Sequence, residues 1–577
     1  MRAEFCERQS SSDPSMVSSP DDQLVFKAAL NAPVAQIGAL NDREPVRGYN
    51  RPLMGRATTS PPRLPRRHIR STVLALVAVC LLGAGCGPPT RVVQSPDRPN
   101  VILILTDDLD AQLLEEHSPD YPNLRELAAE GTTFESAFVT DSLCCPSRTT
   151  ILRGQYAHNH EIVGNTWPRG GSQRFRVLRL GESTVATWLQ DEGYRTVLVG
   201  KYMNGYYGTR VPVGWDDWYA IAGDYLSDDL NENGRIYHYN SERHHLDDVL
   251  TEKATGYVRR AADEGSPFFM WLGTKAPHPP SLPATRHEDA FPGARLPRPP
   301  SFDEEDVSDK PHWVRNNPPL DRKQIASMED LYRKRLQSML AVDDMIGQLV
   351  NALKESGELE NTYIFFTSDN GFHMGQHRLT TGKWTAYEED IRVPLIVRGP
   401  GVTEGQKLEQ LVLNNDFAPT FADLAGAEVP SFVDGRSLVP LLSNDPPSPN
   451  NWRQAFLVEA AASEGRGPPS PSVDESSVKP LLTGDPLPEG WRRAVQSGAW
   501  SRVDWGRPRL EAIRTEDHLY VEYGTGEREL YDLIRDPYEV HNVYENAGTD
   551  LVRRAEGRLA ELRGCSGADC RAAEGGH

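Results

Sequence analysis

Five short runs of mostly apolar residues constrain the fold of this chain more than any other feature. They lie at residues 101–105, 196–199, 268–272, 363–366 and 394–397, and helical patterns separate them along the chain. A continuous apolar run of this length is typical of a strand buried on both faces of a parallel sheet. Strands that alternate with helices favour an α/β fold, in which helices cover both faces of a mostly parallel sheet.

Helical patterns and a change in composition divide the chain into parts. Helices are predicted at residues 122–130, 184–192, 331–354 and 550–563, and short strands at 510–514 and 518–523. Residues 446–496 are rich in Pro, Ser and Gly, which predicts a long surface loop. We therefore expect a large α/β domain at residues 97–445, the loop at 446–496 and a smaller α+β subdomain at 497–577.

The amino-terminal region has the layout of an export signal. Residues 1–70 are rich in Ser, Pro and Arg, which predicts a disordered leader, and Met54 is an alternative start. Residues 71–96 are expected to hold a signal peptide and a linker, because basic residues precede an apolar segment and a small-residue site. A transmembrane anchor is the alternative interpretation. The small-residue site, which ends at Cys86, resembles a bacterial lipobox and implies a lipid anchor there. We expect an extracytoplasmic protein, either secreted or a membrane-anchored lipoprotein.

The composition excludes several classes of function. The chain has 82 Asp and Glu against 62 Lys and Arg, and its net charge of −20 argues against a nucleic-acid partner. A mean hydropathy of −0.54 excludes a polytopic membrane protein. The cysteines that follow Cys86 are Cys144, Cys145, Cys565 and Cys570, too few for a disulfide scaffold. Cys565 and Cys570 are close enough in sequence to close a small disulfide loop.

Acidic and amide side chains follow two of the predicted strands. Asp107 and Asp108 come directly after the first run, and Asp369 and Asn370 come shortly after the fourth. In open α/β sheets, sites lie outside the carboxyl ends of the strands, so these side chains are expected at one edge. They supply only oxygen ligands, which favours a hard cation such as Ca²⁺ or Mg²⁺.

Basic side chains are predicted at the same edge. Lys201 follows the second run, Lys275 and His278 follow the third, and Lys383 lies beyond the fourth. A cation ringed by basic groups on an acidic protein implies a local positive pocket for an anion. The expected substrate is therefore a phosphate or sulfate ester, and the residues alone leave that choice open.

A short motif narrows the choice by resemblance. Residues 144–148 read Cys-Cys-Pro-Ser-Arg and resemble the Cys-x-Pro-Ser-Arg signature of the type I, formylglycine-dependent sulfatases. Residues 193–201 resemble the second signature of that family, and 530–537 resemble its carboxy-terminal motif. The resemblance extends from about residue 99 to 546. Residues 156–160, 200–202 and 276–278 are most similar to the glucosamine-6-sulfatase and heparan endosulfatase branch.

The resemblance implies a fold, a cofactor and a reaction. The fold would be that of alkaline phosphatase, and the reaction would be hydrolysis of sulfate esters in carbohydrates such as N-acetylglucosamine-6-sulfate units. A formylglycine-generating enzyme would oxidise Cys144 to formylglycine (3-oxoalanine), whose hydrate carries the nucleophile. One Ca²⁺ would be held by the modified residue 144 and by four side chains of the sheet edge, namely Asp107, Asp108, Asp369 and Asn370.

The resemblance also implies roles for the basic residues. Lys201, Lys383 and Arg148 would offset the negative charge of the sulfate, and Arg148 would hold the hydroxyl of residue 144 and the network beside the metal. His278, together with Lys383, would protonate the departing alcohol. The second hydroxyl of the hydrate would then lose its proton, and sulfate would be expelled in a covalent two-step route.

One departure from the family pattern leaves a step open. Many arylsulfatases have a histidine where this chain has Met203, and a thioether cannot act as a base. The base for the second step is therefore His158, His373 or His377, or the metal environment replaces it. Three other functions remain open: a broad arylsulfatase, a phosphate or phosphonate ester hydrolase, and a surface lipoprotein that binds anionic glycans without turnover.

Overall fold

The computed structural model of the chain describes residues 98–223, 227–239, 245–462 and 506–575. The expected leader, signal peptide and lipid-anchored Cys86 lie outside these residues. Across the described ranges, we find no helix with the length and apolar character needed to cross a membrane.

The strands come in a large set from the first four-fifths of the chain and a small set near its carboxyl end. They are β1 (Asn100–Asp107), β2 (Thr132–Phe134), β3 (Ala137–Phe138), β4 (Arg195–Gly200), β5 (Asp217–Ile221), β6 (Asp229–Glu232), β7 (Arg235–His238), β8 (Phe268–Pro277), β9 (Thr362–Ser368), β10 (His373–Met374), β11 (Thr381–Gly382), β12 (Leu395–Arg398), β13 (Gln406–Leu408), β14 (Val412–Leu413), β15 (Ala455–Ala460), β16 (Leu510–Thr515), β17 (His518–Tyr523) and β18 (Arg528–Asp532). All the strands predicted from apolar runs are present.

The helices alternate with the strands of the large set. They are α1 (Ala111–His117), α2 (Pro122–Ala129), α3 (Cys144–Arg153), α4 (Ala157–His160), α5 (Gly171–Val177), α6 (Val185–Asp191), α7 (Leu246–Glu264), α8 (His312–Arg315), α9 (Arg322–Ser356), α10 (Glu388–Ile391), α11 (Phe417–Ala425), α12 (Thr549–Leu562) and α13 (Ala568–Ala573). Short 3₁₀ helices lie at Ser118–Asp120, Leu180–Glu182, Thr285–His287, Leu359–Asn361, Asn414–Asp416, Val439–Leu442, Pro449–Asn451 and Tyr544–Asn546.

Ten strands form the main sheet, with β1 near its centre. Their order is β13-β2-β12-β9-β1-β8-β4-β5-β6-β7. β1 is parallel to both β8 and β9, and β4 is parallel to β8 and β5. β12, β6 and β7 run antiparallel to their neighbours. The sheet is therefore mostly parallel and has the alkaline-phosphatase-like architecture predicted from the sequence.

Alternating side chains of β1 feed two hydrophobic cores. Leu103 contributes to a core that contains residues of α3, α6 and α11, whereas Ile104 contributes to a core that contains residues of α2, α7 and α9. Because successive side chains of a strand point to opposite faces, helices must cover both faces of this sheet. This layering explains why the first apolar run has no polar residue.

The long helix α9 begins nine residues before the predicted start at residue 331. Asp321 caps it by accepting hydrogen bonds from the backbone N–H groups of Lys323 at 2.7 Å and Gln324 at 2.8 Å. The Gln324 side chain accepts from the Asp321 N–H in return, which forms a capping box. Gly357, with a φ of +73°, ends the helix.

The carboxy-terminal subdomain differs from its prediction in one element. Its antiparallel sheet has the order β15-β16-β17-β18, and β15 lies inside the segment expected to be a loop. β15 is mostly buried and pairs along its length with β16, so tertiary contacts order residues that follow a Pro-rich stretch. The rest of the expected loop, residues 463–496, lies outside the described ranges. Cys565 and Cys570 form the disulfide that their spacing allowed.

Candidate active site

Two parallel strands, β1 and β9, position the first two carboxylates of the site. Thr106 pairs with Ser368 in the register of these strands, so Asp107 and Asp369 follow as neighbours at the carboxyl edge. The backbone N–H of Asp369 donates to the Thr106 carbonyl at 3.0 Å. Both carboxylates are fully buried. The register of the strands therefore places two acidic groups where open α/β sheets hold their ligands.

Two glycines bring Lys201 to the same edge. Gly200 has a φ of +95°, and a Cβ there would lie 1.9 Å from the carbonyl oxygen of Gly273 in β8. A Cβ on Gly273 would lie 2.4 Å from the carbonyl oxygen of Lys201. Only glycine fits so close an approach of two backbones. Lys201 follows directly, and its Nζ donates to Oδ2 of Asp107.

An arginine from α9 holds the backbone of Asp108. Asp108 has a φ of +66°, in the left-handed region, which aspartate tolerates better than most residues. The buried guanidinium of Arg335 donates from Nη2 to the Asp108 carbonyl at 2.8 Å and to Oδ2 of Asp110 at 2.8 Å. It also lies 4.6 Å from the centroid of the Phe372 ring.

Arg335 was not predicted from the sequence to be part of the site. A lone arginine in a long helix carries no motif, but this one lies on the apolar face of α9 together with the buried residues Tyr332 and Met339. A charged residue on the buried face of a helix needs a partner, because an unpaired charge is costly to bury. The presence of an arginine on the apolar face of a predicted helix was therefore the sequence signal that could have identified Arg335.

Helix α3 presents Cys144 to the carboxylates. Cys144 is the first residue of this fully buried helix, and its Sγ lies 3.5 Å from Oδ1 of Asp107. The Lys383 Nζ donates to the same sulfur at 2.8 Å. Cys145 instead contacts Asn204, with 3.3 Å between Sγ and Oδ1. The structure therefore separates the two adjacent cysteines, and only Cys144 faces the site.

The acidic groups around Cys144 suit a divalent cation. Ligand atoms of Asp107, Asp108, Asp369 and Cys144 all lie within 4.8 Å of one another. Oδ2 of Asp108 and Oδ1 of Asn370 are buried and accept no hydrogen bond. Buried oxygen atoms without a donor are costly, and a hard cation would satisfy them. The residues present therefore fit the expected metal ion.

Positive side chains keep these carboxylates ionised. Burial alone would raise the pKa values of Asp107 and Asp108, but the charges of the nearby lysines and of His278 outweigh it and hold both below the ordinary value. Burial would likewise lower the pKa of Lys383, but the Asp108 carboxylate outweighs it and holds the pKa well above its usual range. The Lys383 Nζ donates to Oδ1 of Asp108. The cluster is thus a set of charged groups that stabilise one another.

Arg148 joins α3 to the sheet edge. Its Nε donates to Oδ2 of Asp369 at 2.7 Å, and its Nη1 donates to the Lys201 carbonyl at 2.8 Å. Its Nη2 is buried and has no hydrogen-bond partner. Arg148 is fully buried, so this unpaired donor is available for an oxyanion in the site.

His278 lies between the acidic cluster and an open cleft. Its Nε2 is 3.6 Å from Oδ2 of Asp108, and its Nδ1 is 2.5 Å from the Pro279 carbonyl oxygen. Because that carbonyl can only accept, Nδ1 carries a proton and Nε2 faces the site. The cleft has a volume of about 560 Å³, and its lining includes His278, His245, Asp247 and Lys275. Lys275 donates to the Ser227 carbonyl at 2.5 Å, so it belongs to the cleft and not to the acidic cluster.

The three histidines considered as bases have other partners. His158 bonds to Glu459 at 2.9 Å and to the Cys565 carbonyl at 3.0 Å, near the carboxy-terminal subdomain. His377 bonds to Glu304 at 2.7 Å. His373 bonds to Asp390 at 2.9 Å, and the absence of a side chain at Gly382 leaves room for its ring. The hydrogen bonds just described direct these three rings to Glu459, Glu304 and Asp390 and not to Cys144. Met203 is buried in a hydrophobic core.

The fold and this cluster suggest a class of protein, a hydrolase of anionic esters, because the buried carboxylates could hold a divalent cation and the basic groups could hold an anion. Comparisons with known proteins give the family. The sulfatase family profile matches residues 99–427. N-acetylglucosamine-6-sulfatase of Homo sapiens is 34% identical over 525 residues, which cover 88% of this chain and 91% of that protein. The arylsulfatase of Volvox carteri is 33% identical over 549 residues, which cover 86% and 78%.

A solved structure agrees with the sequence comparisons. It shows a protein in complex with its substrate, D-glucosamine-2-N,6-O-disulfate, and it matches with a TM-score of 0.65 and 26% identity, covering 82% of this chain and 98% of that one. The chain therefore belongs to the sulfatase family and is a sulfuric ester hydrolase.

Proposed function

We propose that this sulfatase removes the 6-O-sulfate from N-acetylglucosamine-type units of sulfated carbohydrates, and that it uses formylglycine formed from Cys144. The similarity to N-acetylglucosamine-6-sulfatases over most of the chain supports this substrate class. The solved structure that matches this chain contains a sulfated glucosamine as the substrate of that protein, which also supports this class. The observation that carries the proposal is the position of Cys144, which is the first residue of a buried helix and faces three carboxylates and a lysine.

The environment of Cys144 supports its conversion. Burial raises the pKa of the Cys144 thiol to about 11, so an unmodified cysteine would be almost entirely in its neutral form near pH 7. The thiolate is the nucleophilic form of cysteine, so the thiol itself is poorly suited to attack an ester here. Oxidation to formylglycine supplies an aldehyde whose hydrate carries hydroxyl groups at the same position.

A divalent cation, Ca²⁺ in the proposal, would be held by Asp107, Asp108, Asp369, Asn370 and the modified residue 144. When bound, it lowers the pKa of a hydroxyl group and neutralises negative charge on the ester. The chain's own contribution is to fix these ligands. The strand register holds Asp107 beside Asp369, and Arg335 holds the loop of Asp108.

The basic residues position and neutralise the sulfate. Lys383 contacts the side chain at position 144 directly, and Lys201 contacts it through Asp107. The two ammonium groups therefore offset the charge of an anion that approaches this position. Arg148 fixes Asp369 and keeps one buried N–H for an oxygen of the ester or of residue 144. Fixed donors of this kind stabilise charge without reorganising during the reaction.

His278 is placed to handle the leaving alcohol. It borders both the acidic cluster and the cleft. Because Nδ1 already holds a proton against the Pro279 carbonyl, the doubly protonated ring would donate the Nε2 proton to an oxygen that bridges the two regions. Inside the cleft, Nδ1 of His245 lies 3.6 Å from Oδ2 of Asp247, and Oδ1 of Asp247 is buried without a hydrogen-bond partner. Such groups suit the hydroxyl and amide groups of a sugar, and we propose that the carbohydrate lies here.

The proposal also includes the modification of Cys144 before folding and the export of the protein from the cytoplasm. A formylglycine-generating enzyme would act on residues 144–148 before α3 is buried, because all ten residues of this helix are inaccessible in the folded protein. The protein would act outside the cytoplasm, after export through residues 71–96, and a lipid on Cys86 would hold it at the membrane. The supporting feature for export is the basic-apolar-small layout of that segment.

Intact and peptide mass spectrometry of the purified protein tests the mechanism. Conversion of Cys144 lowers the mass of its peptide by about 18 Da. Cys144→Ala is expected to abolish sulfate release without changing the thermal midpoint by more than a few degrees. Cys145→Ser is the matched control, and it should retain both the conversion and most of the turnover. Full turnover in Cys144→Ala, or in a preparation that holds only the unmodified thiol, would exclude the mechanism.

A comparison of three substrates tests the substrate class with the same preparation. N-acetylglucosamine-6-sulfate should give the highest kcat/KM, an aryl sulfate a lower value and a phosphodiester the lowest. Equal or better turnover of the aryl sulfate would favour a broad arylsulfatase. Preference for the phosphodiester would favour the phosphate ester alternative and contradict the proposal.

A further inference from the structure

A second group of metal-ligating side chains lies outside the acidic cluster around Cys144. Ligand atoms of His377, Glu389 and Glu539 lie within 4.8 Å of one another. Each residue has one shielded polar atom without a hydrogen-bond partner: Nε2 of His377, Oε2 of Glu389 and Oε1 of Glu539. His377 is fully buried and Glu539 is 1% exposed. Three unsatisfied ligand atoms in one buried place are costly unless something satisfies them together.

The other side of His377 is arranged as it is in metal-binding histidines. Its Nδ1 lies 2.7 Å from Oε2 of Glu304, and Lys310 pairs with the same carboxylate at 3.0 Å. The Glu304 side chain lies between Lys310 and His377, and its Oε2 accepts the proton of Nδ1. This fixes the tautomer, so Nε2 presents a lone pair toward the two glutamates. Metal-ligating histidines commonly donate their other N–H to a carboxylate in this way.

The negative charges of Glu389 and Glu539 are also not balanced by an ion pair with a basic side chain among the residues that the structure describes. Glu304 pairs with Lys310, and Glu388 pairs with Arg514 at 2.7 Å. Within the described part of the chain, Glu389 and Glu539 form no ion pair. Their two negative charges match the charge of one divalent ion, and buried carboxylates are usually paired or bound to a metal.

We propose that His377, Glu389 and Glu539 bind a divalent metal ion of the first transition row, with Zn²⁺ as the probe. One nitrogen and two carboxylate oxygens suit Zn²⁺ better than Ca²⁺, which prefers oxygen ligands throughout. Small rotations of the glutamate side chains would bring all three atoms to an ion placed between them. The ion would be separate from the cation expected beside Cys144, and the proposal does not depend on the sulfatase mechanism.

Binding would join three segments of the chain. His377 lies between β10 and β11, Glu389 lies in α10, and Glu539 follows β18 in the carboxy-terminal subdomain. Lys383 comes directly after β11, so the ion would fasten the segment that carries an active-site lysine to the carboxy-terminal subdomain. A ligand that binds only the folded state stabilises it in proportion to its affinity.

The alternative to a bound metal ion is that Glu389 and Glu539 are both protonated. Without a cation, burial raises the pKa of Glu389 to about 7 and holds the pKa of Glu539 well above its usual range. Protonated carboxyl groups would remove the charge without any metal. Glu539→Gln imitates the protonated acid, so it separates the two cases.

Metal stoichiometry of the intact chain tests the proposal. The protein is stripped with a chelator, saturated with Ca²⁺ and dialysed against Zn²⁺, and bound metal is measured by mass spectrometry. Wild type should hold one equivalent of Zn²⁺, and Glu539→Gln and His377→Gln should each lose it. Zn²⁺ should raise the thermal midpoint of wild type but not that of Glu539→Gln. Reloading wild type with Co²⁺ should give visible d–d absorption bands, which report the ion without any variant.

Two controls locate the bound metal. Glu388→Gln, at the neighbouring position that pairs with Arg514, should keep the Zn²⁺. Asp369→Asn, in the cluster beside Cys144, should also keep it. The proposal is overturned if stripped wild type binds no Zn²⁺ and shows no Co²⁺ bands, if Glu539→Gln retains the equivalent, or if Asp369→Asn loses it. These readouts do not involve turnover, so they are independent of the proposed function.

Discussion

The guanidinium of Arg335 connects helix α9 to the backbone of Asp108, whose carboxylate is one of the expected metal ligands. It is fully buried, and it donates both to the Asp108 carbonyl and to Asp110. It touches no group that we expect to contact the substrate. Arg335 is therefore a positioning residue, and metal affinity is the property that it should control.

Arg335→Lys should weaken Ca²⁺ binding by about 10- to 100-fold, the range typical of residues that orient metal ligands. Lysine keeps the charge but cannot donate to two acceptors with the planar geometry of a guanidinium. Calorimetric titration of the stripped protein with Ca²⁺ measures the change. At saturating Ca²⁺, kcat should approach the wild-type value, because the reacting groups are unchanged.

Arg333→Gln is the matched control for Arg335→Lys. Arg333 lies two residues earlier in α9 and forms only a partly exposed ion pair with Asp330 at 3.4 Å. Its removal should leave Ca²⁺ affinity unchanged, because surface ion pairs contribute little. An Arg335→Lys protein with unaltered Ca²⁺ affinity would show that Asp108 needs no such support.

At the scale of elements, the short helix α4 joins the large domain to the carboxy-terminal subdomain. The two ring nitrogens of His158 face Glu459 in β15 and the carbonyl of Cys565, and both partners are acceptors. A histidine with acceptors on both nitrogens is best satisfied in its protonated form. Burial would lower the pKa of His158, but the hydrogen bond and charge of Glu459 outweigh it and raise the pKa to about 9, with a further contribution from Asp434.

This contact should make stability depend on pH. The folded-state pKa is raised above the unfolded value of about 6.5, so the stabilisation is complete below pH 6.5 and is lost as the pH rises through 9. The difference between a pKa of 6.5 and one of about 9 corresponds to roughly 3–3.5 kcal/mol. His158→Gln should lower the free energy of unfolding at pH 6 and should have little effect at pH 10.

Urea unfolding of the two proteins at several pH values measures the difference in free energy. His541→Gln, at an exposed position, is the control and should show no pH-dependent difference from wild type. A constant difference between wild type and His158→Gln from pH 6 to pH 10 would contradict the assignment of the raised pKa to His158.

The elements also show what the sequence could predict. The runs that became β1, β4, β8, β9 and β12 were predictable because strands buried on both faces have an unmistakable composition. The polar residues at their ends predicted that the acidic and basic groups would meet, and the structure brings Asp107, Asp369 and Lys201 together. The roles of these residues in the reaction remain predictions.

Other features of the fold and the site could not be predicted, because they depend on contacts between residues far apart in the sequence. β15 pairs with β16, which lies more than forty residues later in the chain. The segment that contains β15 was wrongly predicted to be a loop because it is rich in proline. The edge strands β5, β6 and β7 include polar and exposed residues, so they lack the composition of the central strands. The separation of Cys144 from Cys145 follows from the direction of α3, which sequence spacing alone does not fix.

At the scale of the whole molecule, a buried network of charges ties the last helix to the large domain. Glu574, which follows α13, accepts from Tyr156 at 2.7 Å, from Arg436 at 2.9 Å and from Arg453 at 2.8 Å. Arg453 also pairs with both oxygens of Asp416 at 2.7 Å. Two arginines and two carboxylates thus balance one another away from solvent, so the carboxy-terminal subdomain is part of the same packed unit as the sheet.

Glu574→Gln should destabilise the whole molecule by about 3–5 kcal/mol, because removal of one partner leaves a buried positive charge without full compensation. Glutamine keeps the shape and the Oε1 acceptor for Tyr156, but its NH2 group cannot accept from Arg436 and Arg453, so their hydrogen bonds are lost together with the charge. Differential scanning calorimetry should show one transition shifted to lower temperature, because the subdomain and the sheet share this network. Glu561→Gln, at an exposed position of α12, should leave the transition in place. A shift no larger than that of Glu561→Gln, or a separate early transition of the subdomain, would show that the network does not couple the two parts.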